Sequence, residues 1–424
     1  MKVVRGILSV IACFMIAIGI FSVIGYELYF RHVEPTLPSQ TDQTDTTNAV
    51  NDSETKPEET TPQPKPEPAP TEPTAEELRA QELLQDMTLE QKIYQMFFIT
   101  PESITNVEAA TQAGKTTKEA LQSNPVGGIL YSEKNLEDTD QVKKLLDGTQ
   151  TFLKEGQFLP AFLAIDEEGG DVAPVARMLN TTSFATMAEL GESGDTDAVS
   201  EMGKTIAKDL LELGFNVNFA PLADLADATH NDVIGTRSFG LDPEITSSMV
   251  SAMILASQEN GVLCAISHFP GLGSLDDVSH IERKSIARSM EQMNQEELLP
   301  FRTAITSNVG FIVVSHAVFT AVDDQHPASL SPSVIEMLRN EMGYRGIILT
   351  DALDIPVITD YYTPEEVTLN AVNAGCDMLL CPSDLDSSIE ALLNAVESNA
   401  IKEERINKSV IRILAAKLRL GLIT

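Results

Sequence analysis

CAISHFPGLGSLDDVSH, residues 264–280, begins as an apolar run, turns through His268-Phe269-Pro270-Gly271 and ends in Asp276, Asp277 and His280. A continuous apolar run has no polar face to offer water, so it reads as a strand buried on both sides. The Pro, Gly, His and Asp that follow read as a loop at one end of that strand. Four other runs have the same shape: AFLAIDEEGG (161–170), NVNFAPLADL (216–225), GFIVVSHAVF (310–319) and RGIILTDALD (345–354). The five far ends carry Asp166, Asp224, His268, His316 and Asp351.

Working outward, continuously apolar strands are expected at 95–99, 126–131, 161–165, 217–220, 262–266, 310–314, 346–349 and 377–380. Helical spacing fills nearly every gap between them. Thr74 and Glu77 form a capping box for the first helix, and Gly214, Gly261, Gly343 and Gly375 close later ones. Further helices are expected at 138–152, 292–307, 331–342, 383–398 and 403–418. Eight buried strands alternating with helices predict a parallel α/β fold, a (β/α)8 TIM-like barrel, with an open doubly wound sheet as the alternative. In a barrel His268 sits two residues past the fifth strand, and Asp166, Asp224, His316 and Asp351 follow their own strands. All five then meet at the C-terminal face, where such folds place their chemistry.

The N-terminal part has a different composition. Lys2 and Arg5 precede Gly6–Tyr26, which carries no charge. Such a stretch spans about 30 Å as a helix, enough for a bilayer core. Its basic flank directs the N-terminus to the cytoplasm and the remainder outside. Val10-Ile11-Ala12-Cys13 resembles a lipoprotein cleavage box, but a signal needs an apolar region of about 7–15 residues; here only Gly6–Val10 precedes it. Residues 1–31 are therefore read as an uncleaved single-pass anchor in the cell membrane, with the folded domain extracellular. Residues 32–75 are rich in Pro, Thr and Glu and almost free of aliphatic side chains, so they are expected to form a disordered stalk. The spacing of Pro62, Pro64, Pro66, Pro68 and Pro70 favours extended polyproline II. Residues 76–424 remain for one barrel domain, expected to be a monomer.

The formal net charge of −34, from 29 basic and 63 acidic residues, argues against nucleic acid or anionic lipid as a partner. Cys264, Cys376 and Cys381 lie in or beside apolar runs and read as buried thiols. No Cys or His spacing suits zinc, no G-x-G-x-x-G follows a strand, and no G-x-S-x-G elbow occurs. No metal or cofactor is expected. Carboxylates with imidazoles suit glycoside cleavage, in which one carboxylate attacks the anomeric carbon while an acid protonates the leaving oxygen.

Five motifs in order carry a family resemblance. They are IDEEGG (165–170), NFAPLAD (218–224), IGTRSF (234–239), HFPG (268–271) and TDAL (350–353). The chain resembles glycoside hydrolase family 3, in its single-domain β-N-acetylhexosaminidase branch, over roughly residues 87–382. The resemblance implies a metal-free retaining barrel enzyme. It would act on a carbohydrate, removing terminal β-N-acetylglucosamine from cell-wall glycan fragments. It further implies Asp351 as nucleophile, His280 as acid/base, and Asp166, Arg237 and His268 as sugar-binding residues. Asp224 and His316 join that set from their strand ends. Several family positions differ here. Ser267 replaces a lysine, Leu272 a histidine and Val278 the carboxylate partner of the catalytic imidazole, while Asp171 and Pro174 fall in a segment that has lost two arginines. A second reading follows from these changes: a catalytically impaired barrel that binds glycan or a protein partner.

Overall fold

The computed structural model describes residues 72–229, 233–273, 275 and 283–424. Eight strands form one sheet: β1 (Phe97–Ile99), β2 (Gly128–Leu130), β3 (Phe162–Ile165), β4 (Val217–Asn218), β5 (Leu263–Phe269), β7 (Phe311–Val314), β9 (Ile347–Thr350) and β10 (Leu379–Leu380). Every neighbouring pair is parallel, in the order β10-β1-β2-β3-β4-β5-β7-β9. The two ends of that order meet. Leu349 bridges Met378 in parallel, and Thr350 N–H donates to Met378 O at 3.1 Å. The sheet is thus a nearly closed barrel, and the open-sheet alternative is set aside.

Helix placement follows local chemistry. Thr74 and Glu77 exchange both capping bonds at the head of Ala75–Leu84. Thr196–Leu213 and Pro364–Ala374 end at Gly214 and Gly375, which take φ of 109° and 120°. Two expected helices are broken. The pattern at 292–307 divides into Met290–Gln295 and Leu298–Thr306, around Glu296 with φ −123° and ψ −88°. The pattern at 331–342 becomes Pro332–Glu336 followed by a π turn over Met337–Glu341. The fifth strand also runs further than expected. It takes in His268 and Phe269, because Phe269 pairs with Val314 beyond a register shift after Ile266. His268 is therefore within the strand rather than two residues past it. A short parallel pair, β6 (Ser285–Ile286) with β8 (Val318–Phe319), lies beyond the barrel strands and carries no apolar run long enough to announce it.

The N-terminal floor of the barrel is held by buried charge. Asp377 accepts from Arg339 at 2.5 Å, Arg412 at 3.0 Å and Ser409 at 2.7 Å. Burial alone would raise its pKa, but Arg412, Arg339 and Arg405 hold it below the usual range. Among the described residues Lys417 has no such partner. Its Nζ is fully buried, 5.1 Å from the Phe162 ring centre, and donates to Gln95 Oε1 at 2.6 Å. Burial lowers its pKa to about 7. Below that pH the lysine is charged in both states and its full desolvation penalty opposes folding. As pH rises towards about 10.4, the unfolded chain holds a proton that the folded chain has lost, so stability increases. Lys417→Met is therefore expected to stabilise the domain by about 1–3 kcal/mol at pH 7 and to flatten the rise between pH 7 and 10. Urea unfolding at three pH values measures this, and a variant less stable at every pH would show that the Gln95 bond outweighs the penalty.

Among the described residues no helix is long and apolar enough to cross a membrane. The expected anchor at Gly6–Tyr26 and the stalk up to residue 71 lie outside those residues. Cys264, Cys376 and Cys381 are buried free thiols.

Candidate active site

The C-terminal ends of the strands deliver the polar residues to one mouth. Thr350 closes β9, and Asp351 follows it with its backbone N–H on Val314 O at 2.9 Å. Its carboxylate Oδ1 accepts from Ala352 N–H at 2.8 Å. The same peptide is gripped from its other side, since His316 Nε2 donates to Ala352 O at 2.9 Å. A carbonyl can only accept, so Nε2 carries the proton. Nδ1 shares a hydrogen bond with the Ser329 hydroxyl at 2.7 Å. His316 is buried with both nitrogens engaged inside the protein. It holds the peptide that holds Asp351, which gives it a positioning geometry rather than a free edge for a sugar.

Asp224 is fully buried beyond β4 and organises the neighbouring strand end. Its Oδ2 accepts from His268 Nδ1 at 2.7 Å and from His268 N–H at 3.1 Å, and its Oδ1 accepts from Leu272 N–H at 2.7 Å. Burial lowers the affinity of the His268 ring for a proton. The Asp224 charge and hydrogen bond outweigh this, Asp351 adds to them, and the ring titrates above its ordinary range. Leu272, at a family histidine position, contributes its backbone rather than a side-chain donor.

Arg237 reaches from the segment after β4 to Glu168, with Nε at 2.9 Å and Nη2 at 2.5 Å. Such a two-point pair fixes the planes of both groups. Glu168 leaves its strand through Gly169 and Gly170, whose φ values of 93° and 57° favour residues without a Cβ. Asp171, at a position where the family has arginine, accepts from the Thr236 hydroxyl at 2.5 Å. Arg177 pairs at the surface with Glu133 at 2.6 Å and so does not stand in for the lost arginines.

Asp166 lies between these groups, at the end of β3. Burial raises its carboxyl most, Glu168 and Asp351 raise it further, and Arg237 and His268 oppose them. The result is a pKa of about 7. Between about pH 4 and 7 the folded chain holds a proton that the unfolded chain has released. Stability therefore falls as pH rises through that window and stays lower above it. Asp166→Asn is expected to match the wild type near pH 4 and to exceed it by about 1–2 kcal/mol at pH 8. Thermal unfolding at both pH values tests this, and an equal difference at the two would place the cost elsewhere.

Three groups in this mouth lacked assigned roles in the sequence reading. Glu168 stood inside the IDEEGG motif, and its position two residues beyond Asp166 was the available signal. Asp354, three residues past Asp351, is raised by burial and then by Asp351. Cys381 follows β10, and burial with the charges of Asp354, Asp166 and Asp351 keeps its thiol protonated. These mutual effects gather Asp166, Glu168, Arg237, His268, Asp351, Asp354 and Cys381 around one site. His280, with Asp276, Asp277 and Val278, lies outside the described residues.

The chain is similar to several known proteins. Beta-hexosaminidase A of Pseudoalteromonas piscicida is 32% identical over 339 residues, 74% of this chain and 56% of that protein. Beta-hexosaminidase of Nitrosomonas eutropha is 29% identical over 67% of this chain and 81% of its own length. A solved glycoside hydrolase family 3 beta-N-acetylglucosaminidase from Paenibacillus sp. str. FPU-7 superposes with a TM-score of 0.75 at 34% identity, over 79% of this chain and 63% of that one. The chain thus spans little more than half of the first of these relatives. The model of the glycosyl hydrolase family 3 N-terminal domain matches residues 88–416, and the chain belongs to that family.

Proposed function

We propose that this protein is a retaining β-N-acetylglucosaminidase that releases the terminal sugar of cell-wall glycan fragments. One observation carries the reading. Asp351 is held at the end of β9 by the Ala352 peptide, in the same mouth as Asp166, Arg237 and His268. An Asp351 oxygen attacks the anomeric carbon as the bond to the leaving oxygen breaks, giving a glycosyl ester. His280 in its imidazolium form donates the proton to that oxygen. It then takes a proton from the water that cleaves the ester and frees the Asp351 carboxylate. Asp166 and His268 hold sugar hydroxyls, and Arg237 with Glu168 shapes the wall behind them.

The uncharged Gly6–Tyr26 run and the proline-rich stretch after it support a membrane-anchored enzyme working outside the cell on a stalk. The domain acts as a monomer in this reading. Hydrolysis of 4-nitrophenyl N-acetyl-β-glucosaminide by purified protein tests the activity. A protein inert toward this and related glycosides, yet retaining N-acetylglucosamine in equilibrium dialysis, would instead support the impaired, glycan-binding barrel.

A further inference from the structure

The helix expected at 292–307 breaks at Glu296, whose φ of −123° and ψ of −88° are not helical. In an unbroken helix two successive carboxylates point about 100° apart and do not face one partner. The break turns both Glu296 and Glu297 to a single guanidinium. Arg288 Nη2 donates to Glu296 Oε2, and Arg288 Nε lies 2.6 Å from Glu297 Oε1. Glu297 is 5% exposed, and its Oε2 is buried with no hydrogen-bond partner among the described residues. A buried carboxylate left partly unmet opposes folding, and in a native structure it calls for a specific explanation.

Two chain ends meet on Glu297. The first is the end of β5. Phe269 packs edge-on against Phe301, one turn along the helix that Glu297 heads, with ring centres 5.2 Å apart. A Cβ at Gly271, where φ is 129°, would stand 3.0 Å from Glu297 Cβ and 3.1 Å from its Cγ, so this backbone rests directly on the glutamate stem. Asp224 holds the same turn through His268 and Leu272. The second end is Arg288, two residues past β6, which is itself paired with β8. By sequence, His280 lies between Gly271 and Arg288. The chain leaves toward His280 over the Glu297 stem and returns to the Glu297 carboxylate, so one side chain sets the distance between the two ends.

We infer that Glu297, with Arg288, is a positioning residue for the proton donor, fixing both ends of the segment that carries His280. This rests on the proposed hydrolysis, in which His280 gives its proton to the leaving oxygen, and deepens it by naming what aims that group. Neither residue forms or breaks a bond in that reaction, so the effect is read through the leaving group. 2,4-Dinitrophenyl N-acetyl-β-glucosaminide loses a stable anion that needs no proton, whereas the phenyl glycoside loses a basic oxygen that does. Arg288→Met is expected to lower kcat/KM on the phenyl glycoside by about 10–100-fold and on the dinitrophenyl glycoside by less than about 3-fold. Glu297→Gln should act in the same direction, and Arg288→Lys, which keeps the charge but not the two-point grip, should fall between. A variant that is merely less well folded loses both activities in the same proportion. An equal fall on both substrates, or no fall on the phenyl glycoside, therefore overturns the inference. If the wild type cleaves neither substrate, the hydrolase reading fails, and proton NMR titration of the His280 ring decides the positioning separately. Arg288→Met should then move the His280 midpoint away from its wild-type value, and an unmoved midpoint overturns the positioning.

Discussion

Asp351→Gly is expected to lower kcat/KM on 4-nitrophenyl N-acetyl-β-glucosaminide by about 10³–10⁵-fold, since it removes the atom that forms the covalent bond. Azide should restore part of the rate by entering the vacated space. Because the anion attacks from the face that Asp351 would use, the product should be the α-glycosyl azide, the inverted form of the β-substrate. The configuration of the azide is the decisive readout. A β-azide would point to an earlier inversion by another group and remove Asp351 from the nucleophile's role. Asp354, three residues along the same loop, is the competitor, but burial keeps its proton on more firmly than an ordinary aspartate would. Undiminished hydrolysis by Asp351→Gly would end the proposed mechanism outright. The support for Asp351 also predicts the weaker effect of His316→Ala. That change frees the Ala352 carbonyl without touching the carboxylate, so it should reduce kcat more than it raises KM.

The barrel was legible because its strands are continuously apolar and its helices have strong ends. Thr74, Asp138, Gly214 and Gly375 each cap as their chemistry dictates. Five strand ends could likewise be ranked as a site, since in a closed parallel barrel all of them face one way. What escaped the sequence was pairing across distance. Nothing local tells that Glu168 will clamp Arg237, or that His316 will turn both nitrogens inward to Ser329 and Ala352. The two-residue pair β6–β8 was also illegible, because two residues show no periodicity. The extension of β5 through His268 depends on an irregular register against β7, where the step from Ile266 to Phe269 matches the shorter step from Ile312 to Val314, and one strand's own pattern does not show this. Motif departures were visible as letters, but their physical effect was not. Leu272 looked like a lost donor, yet its backbone N–H completes the shell of Asp224.

That shell makes Asp224 the second large-effect position. Its two oxygens receive three N–H groups in a fully buried place, all from the segment His268–Leu272. Asp224→Asn keeps the shape but must aim an amide N–H₂ at one set of those donors. The expected loss is about 2–4 kcal/mol of stability, and about 10²–10³-fold in kcat/KM, because His268 loses its orientation and the Leu272 end of the loop loses its anchor. The two losses can be told apart by the His268 ring. With the carboxylate gone, its charge and its hydrogen bond no longer offset burial, so the ring should titrate at lower pH than in the wild type. A proton NMR titration of the His268 ring reads this directly in the folded variant. The functional part should also be shared rather than added. His268→Gln alone and the Asp224→Asn/His268→Gln double variant should differ by less than about 5-fold in kcat/KM, as expected for two residues acting as one unit. Losses that multiply, with an unchanged His268 titration, would mean that Asp224 serves the loop alone and that the imidazole is held in place by something else.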